Sequence, residues 1–324
     1  MKADQEFKNP SSPYRGKPFW SWNGKLEPEE LRRQIRVLKH MGMGGGFLHS
    51  RVGLETEFLG KEWFECIKAC VDECKKHKME AWLYDEDRWP SGSAGGLVTK
   101  DPKHRMRFLV MEMHEPKDFK RKKSALGTWQ CRFEDNKLYD LIPLKKNEKP
   151  VEGKNRKVMV IYEQLQECSS WYNGYTYLDT MSAEAVKEFI RVSYQPYKKK
   201  IGQEFGKAVP GVFTDEPNYF TLEGNNPGGV LRANIPWTPK LPEVFEKRYG
   251  YDLLEHLPEL FLDVEGVDYP TARYHYRDCA TFLFTGSFAR LIGQWCEKND
   301  LLFTGHVLLE NNLHSQTLAV GSTM

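Results

Sequence analysis

Short apolar runs alternate with amphipathic helical stretches through the first hundred residues, and few folds accept that rhythm. Pro18-Phe19-Trp20-Ser21-Trp22-Asn23-Gly24 reads as a strand closed by a glycine turn. Pro28 then stands at a first helical position, Glu29 and Glu30 suit the helix dipole, and Leu31, Ile35, Leu38 and Met41 form one apolar stripe. Gly42 stops it. Gly44 to Arg51 is a second strand, 63–78 a second helix with Phe64, Ile67 and Val71 inward, and Glu80 to Asp87 a third strand. A β-α-β-α-β order predicts parallel strands with right-handed crossovers. Polar residues gather at the strand ends: Trp22 and Asn23, then His49 and Arg51, then Asp85, Glu86, Asp87 and Arg88. Clustering at one rim is what an α/β barrel does with its active face.

The alternation breaks after Gly95-Gly96. Strand-like runs follow at 107–113, 128–133 and 157–163, separated by charged turns, and read as an antiparallel β insertion. The basic run Lys117 to Lys123 is a solvated connection in this reading. Trp171-Tyr172-Asn173-Gly174-Tyr175-Thr176-Tyr177 either lines a sugar site with its rings or packs on the insertion. Ser182 is an N-cap, and helical periodicity runs from there towards Gly202. Ala208-Val209-Pro210-Gly211-Val212-Phe213 forms a buried strand ending in Thr214-Asp215-Glu216-Pro217. A long loop over 219–239, helices over 241–249, 251–261 and 272–299, and a last strand over 301–308 follow. The expected organisation is 12–104 as the first part of a TIM-type (β/α) barrel, 105–177 as the insertion and 178–324 as the barrel's continuation. That makes about five barrel strands where eight close one. The chain reads as cut short, its barrel completed by other sequence or its open edge covered.

Composition narrows the function. In 324 residues, 47 basic and 45 acidic side chains leave a net charge of +2, which calls for neither nucleic acid nor an anionic membrane as partner. No signal peptide and no apolar membrane span stand out. Seven cysteines without a paired pattern fit a reducing compartment, the cytoplasm. Cys66, Cys70 and Cys74 lie one helical turn apart and read as a semi-buried stripe on a helix face rather than a metal site.

The strand ends carry the chemistry. Glycoside hydrolysis needs two carboxylates flanking a bond. Glu216, at the end of an apolar strand, is the first catalytic candidate, and Glu310, just beyond the strand carrying His306, is the second. If the strand continues to that point, alternation puts Asp215 on the opposite face from Glu216, as a structural acid. Asp85, Glu86 and Asp87 cannot all be buried unpaired, so they bind sugar hydroxyls, pair with Arg51 or Arg88, or ligate a hard cation. Trp22, Trp89, His49, Arg51 and His306 complete the substrate-binding candidates. A metal-dependent hydrolase would need a converging set, and His49, Asp85 and His306 are the residues that could supply it. A non-catalytic carbohydrate-binding module is a further alternative.

Phe19-Trp20-Ser21-Trp22-Asn23-Gly24, Gly45-Gly46-Phe47-Leu48-His49-Ser50-Arg51, Tyr84-Asp85-Glu86-Asp87-Arg88-Trp89-Pro90-Ser91-Gly92, Phe213-Thr214-Asp215-Glu216-Pro217 and Thr304-Gly305-His306 together resemble bacterial proteins related to glycoside hydrolase family 106, the α-L-rhamnosidases. The resemblance implies a (β/α) barrel, inverting hydrolysis of terminal α-L-rhamnosides and a Ca²⁺ ion near the active centre, and on that analogy Glu216 matches a carboxylate at the end of strand four. Members of that family are longer and carry β-sandwich domains after the barrel.

Overall fold

The computed structural model describes residues 2–219 and 231–321. After helix α1 (Lys2–Lys8), the expected alternation is realised as β1 (Phe19–Gly24), α2 (Pro28–His40), β2 (Gly45–Leu54), α3 (Lys61–His77) and β3 (Glu80–Tyr84). Four antiparallel strands come next: β4 (Arg107–His114), β5 (Ala125–Glu134), β6 (Lys137–Pro143) and β7 (Arg156–Leu165). Helices α4 (Ala183–Phe189) and α5 (Gln195–Ile201), joined by a wide turn at Ile190–Tyr194, lead to β8 (Gly211–Asp215). Ser182 caps α4 through its side chain, which accepts from the Ala185 amide. The chain continues through β9 (Leu231–Trp237), α6 (Leu241–Tyr249), β10 (Asp263–Val264), α7 (Thr271–Phe284), α8 (Arg290–Glu297), β11 (Leu302–His306) and α9 (Leu313–Val320).

Two sheets result. The first is five-stranded, wholly parallel and curled, in the order β1-β2-β3-β8-β11. One side packs on the helices: Trp22, Leu48, Leu83 and Val212 meet Ile35, Trp63, Ile67, Phe189 and Ile292 in one buried cluster. Cys66, Cys70 and Cys74 are buried in that layer, and burial pushes the Cys66 thiol up to about 11 and Cys74 to about 12. Packing, not reactivity, accounts for them. At Gly305 the strands β11 and β8 approach so closely that a Cβ would strike the Thr214 carbonyl.

The second sheet has the order β10-β6-β5-β7-β4-β9, and α6 and α7 cover it over a separate core that includes Leu109, Trp129, Ile161, Trp237, Phe245 and Tyr276. It departs from the sequence reading in two ways. Strand β6 lies where only turns are expected. Residues expected to belong to the long loop over 219–239 form β9, which pairs antiparallel with β4; 220–230 lie outside the described residues. The second sheet therefore draws β9 and β10 from the region read as barrel continuation. The basic run links β4 to β5, and Lys122 there pairs with Glu112 at 2.9 Å. Among the described residues, no helix is long and apolar enough to cross a membrane.

Candidate active site

Side chains alternate across a strand, and parallel register carries the alternation from one strand to the next. Phe19 pairs with Phe47, Ser21 with His49, Phe47 with Trp82, Tyr84 with Phe213, and Asp215 with His306. These residues share the sheet's inner face, opposite the helices. Its floor is aromatic, with ring centroids 4.7 Å apart for Phe19 and Phe213 and 5.4 Å for Phe47 and Phe213. Above it, at the carboxyl ends of the strands, the inner face turns polar.

Asp215 is the hub. Tyr84 donates its hydroxyl to Oδ2 at 2.7 Å, and His306 Nε2 lies 2.5 Å from Oδ1. The other ring nitrogen, Nδ1, is 3.1 Å from Glu310 Oε1. An imidazole with a carboxylate oxygen at each nitrogen donates to both only in its charged form. Burial opposes that charge, but the hydrogen bonds to Asp215 and Glu310 prevail and raise the His306 pKa.

Glu216 does not follow the alternation. Its φ is 50°, a left-handed turn uncommon for a residue with a side chain, and its amide donates to the His306 carbonyl at 3.0 Å. The kink brings its carboxylate to the same side as Asp215. Ligand atoms of Asp215, Glu216 and His306 all lie within 4.8 Å of one another. Opposite facing was expected only for a strand continuing through Glu216; the strand ends at Asp215, and the two acids share a side. Burial and the charge of Asp215 raise the Glu216 pKa, against the pull of His306 and Arg51.

Trp89, Arg51 and Trp171 form the rim. The Arg51 guanidinium lies 4.1 Å from the centre of the Trp89 ring, which meets Trp171 edge-on at 4.8 Å. Trp171 Nε1 donates to the Trp89 carbonyl at 2.7 Å, so the aromatic stretch of the insertion reaches the parallel sheet's rim.

Several other candidates are placed elsewhere. Trp22 faces the helices, 1% exposed and against Trp63 at 5.2 Å, because it is out of phase with Ser21 and Phe19. Asp85 points the same way and accepts from Ser91 and Tyr194 hydroxyls, each at 2.5 Å; burial pushes it up to about 7. Glu86 is buried and accepts the backbone amides of Asp87, Gly92, Ala94 and Gly95. Burial raises its pKa to about 8, while the four amides pull it down. Asp87 accepts from Ser50, Arg88 and Asn173. These three acids fold the segment after β3 rather than line the hollow. His49 does face inward, but it is 2% exposed and its ring lies tilted against Tyr84, with centroids 4.0 Å apart. Both its ring nitrogens lack a partner, and burial lowers its pKa to about 4.

The metal set His49, Asp85 and His306 is thus not assembled, since Asp85 lies on the other face. Asp215, Glu216 and His306 converge instead. Two carboxylates and an imidazole do not fit Ca²⁺, which takes about six to eight oxygens. The acids after β3 cannot add theirs, being held by amides, hydroxyls and Arg88. Sequence reasoning missed Tyr84 and the hub role of Asp215. Both are in phase with aromatic inner-face neighbours, Trp82 and Phe213, and that phase is the signal that could have found them.

No protein-family model matches the chain, and no curated protein does. Among solved structures, a rhamnosidase from Novosphingobium sp. PP1Y is similar in fold, with a TM-score of 0.57 and 14% identity. The match covers 94% of this chain and 47% of that one, so the chain spans about half the length of its structural neighbour.

Proposed function

We propose that this chain is the sugar-cleaving part of a glycoside hydrolase acting on terminal glycosides, with α-L-rhamnosides as the first substrates to test. The observation that carries the reading is the meeting of Asp215, Glu216 and His306 at the carboxyl ends of adjacent parallel strands. The fold likeness to a rhamnosidase accords with it. On this reading the five parallel strands belong to a (β/α) barrel, whose chemistry sits at that end.

Glu216 is the general acid. A raised pKa keeps its proton available for the leaving oxygen as the glycosidic bond breaks. Inversion needs a second carboxylate far enough away, roughly 6.5–9.5 Å, to admit a water. Asp215 does not suit that role, with its nearest oxygen within 4.8 Å of Glu216 and its own oxygens held by Tyr84 and His306. Glu310 takes the role of base, receiving the proton of the water that attacks the anomeric carbon, and His306 positions it.

Glu216→Gln should lower turnover of nitrophenyl α-L-rhamnoside by about a thousandfold while leaving sugar binding within a few-fold. Near-wild-type turnover in that variant removes Glu216 from the mechanism. The convergence of two acids and a histidine favours one second reading, a transition-metal hydrolase. Dialysis against a chelator separates the two: acid–base catalysis is indifferent to it, whereas loss of activity restored by Zn²⁺ or Mn²⁺ establishes the metal. Sugar binding without turnover of any glycoside would establish a carbohydrate-binding module.

A further inference from the structure

Arg51 occupies the inner face of β2 at its carboxyl end, in phase with Phe47 and His49. It is partly buried, and its charge acts on both Glu216 and His49. The guanidinium carbon lies over the Trp89 ring, 4.1 Å from its centre, a contact with the ring face that needs no hydrogen-bond acceptor. Among the described residues, no carboxylate lies within ion-pair distance of Arg51 and no acceptor takes its hydrogens. Arg88 at the same rim is different. It is bound by Asp87 at 3.2 Å and by Asn173 at 2.9 Å.

A guanidinium offers five donors, and one resting on an aromatic ring beside a hollow, with no protein acceptor, suits an incoming planar anion. The acids that converge in the site do not answer it. Asp215 is committed to Tyr84 and His306, and Glu216 turns to its own cluster. We infer that Arg51 receives a carboxylate of the substrate, so that the saccharide bound at this site contains a uronic acid at or next to the bond cleaved. The inference rests on the glycosidase reading and gives it a substrate class. A neutral sugar answers the guanidinium only through single uncharged hydroxyl oxygens, whereas a uronate supplies two charged oxygens in one plane.

Equilibrium binding to the full chain tests this without requiring turnover. Calorimetric titrations would compare glucuronate with glucose and galacturonate with galactose, pairs that differ only in the oxidation of one carbon. At least one uronate should bind about tenfold or more tightly than its neutral partner, the range expected of a hydrogen-bonded charge. Arg51→Gln should erase the difference, Arg51→Lys should restore part of it, and added salt should weaken the uronate alone. Equal affinities within both pairs, or a preference that survives in Arg51→Gln, overturn the inference. Should Arg51→Gln fail to fold, the lysine variant and the salt titration still decide it. Hydrolysis of neutral glycosides by an enzyme with no uronate preference would sink this inference and leave the glycosidase reading standing. Inactivity towards every glycoside would sink that reading instead.

Discussion

Glu216 changes what its strand can do by adopting a left-handed backbone, because successive residues on a strand otherwise face opposite ways. One kink puts two neighbouring acids beside one histidine. Sequence alone places Asp215 and Glu216 at a strand end, since Pro217 forbids continuation. It cannot place them side by side, because nothing in Thr214-Asp215-Glu216-Pro217 announces the sign of φ. The consequence for His306 is testable. Its pKa is raised in the folded protein, so the stability it contributes is complete below its ordinary value of about 6.5 and fades as pH climbs through the raised one. The gap in unfolding free energy between wild type and His306→Gln should be wide near pH ~6 and narrow by pH ~9, in denaturant titrations at both. A gap that stays constant, or widens with pH, contradicts the carboxylate–imidazole–carboxylate arrangement.

The segment from Asp87 to Gly95 is shaped as an element by one side chain. Glu86 gathers four backbone amides that would otherwise be buried without acceptors, and Asp85 ties the same segment to α4–α5 through Ser91 and Tyr194. Acids in a row in a sequence look like a solvated or ligand-binding cluster; that they are internal scaffolding emerges only when the chain folds back over them. Glu86→Ala should cost about 3 kcal/mol of stability and expose the Gly92, Ala94 and Gly95 amides to hydrogen exchange. Unchanged exchange at those positions would show that the amides have other acceptors. The strand–helix alternation of β1 to β3 is legible because each element carries its own period. Strand β6 is hidden by polar residues and by Asp140, whose φ is 49°. The Asp135-Asn136 turn, with both residues left-handed, is the hairpin signal that marks it. Strand β9 is hidden for another reason: it holds Pro236, which only an edge strand accommodates, and its partner β4 is distant in sequence.

At the scale of the whole molecule, two sheets have separate cores, and the segment after β7 touches the segment after β3 where Trp171 reaches Trp89. The parallel sheet turns a concave aromatic face outward, leaving Phe19 47% and Leu302 61% exposed. If this chain cleaves glycosides, catalysis takes place where that face becomes acidic. A crystal structure of the protein soaked with L-rhamnose tests this most directly. The sugar ring should lie on the concave face, with a hydroxyl within hydrogen-bonding distance of Glu216 and His306 still bridging Asp215 and Glu310. Glu216 directed away from Asp215 and His306, with the sugar bound elsewhere, would contradict it.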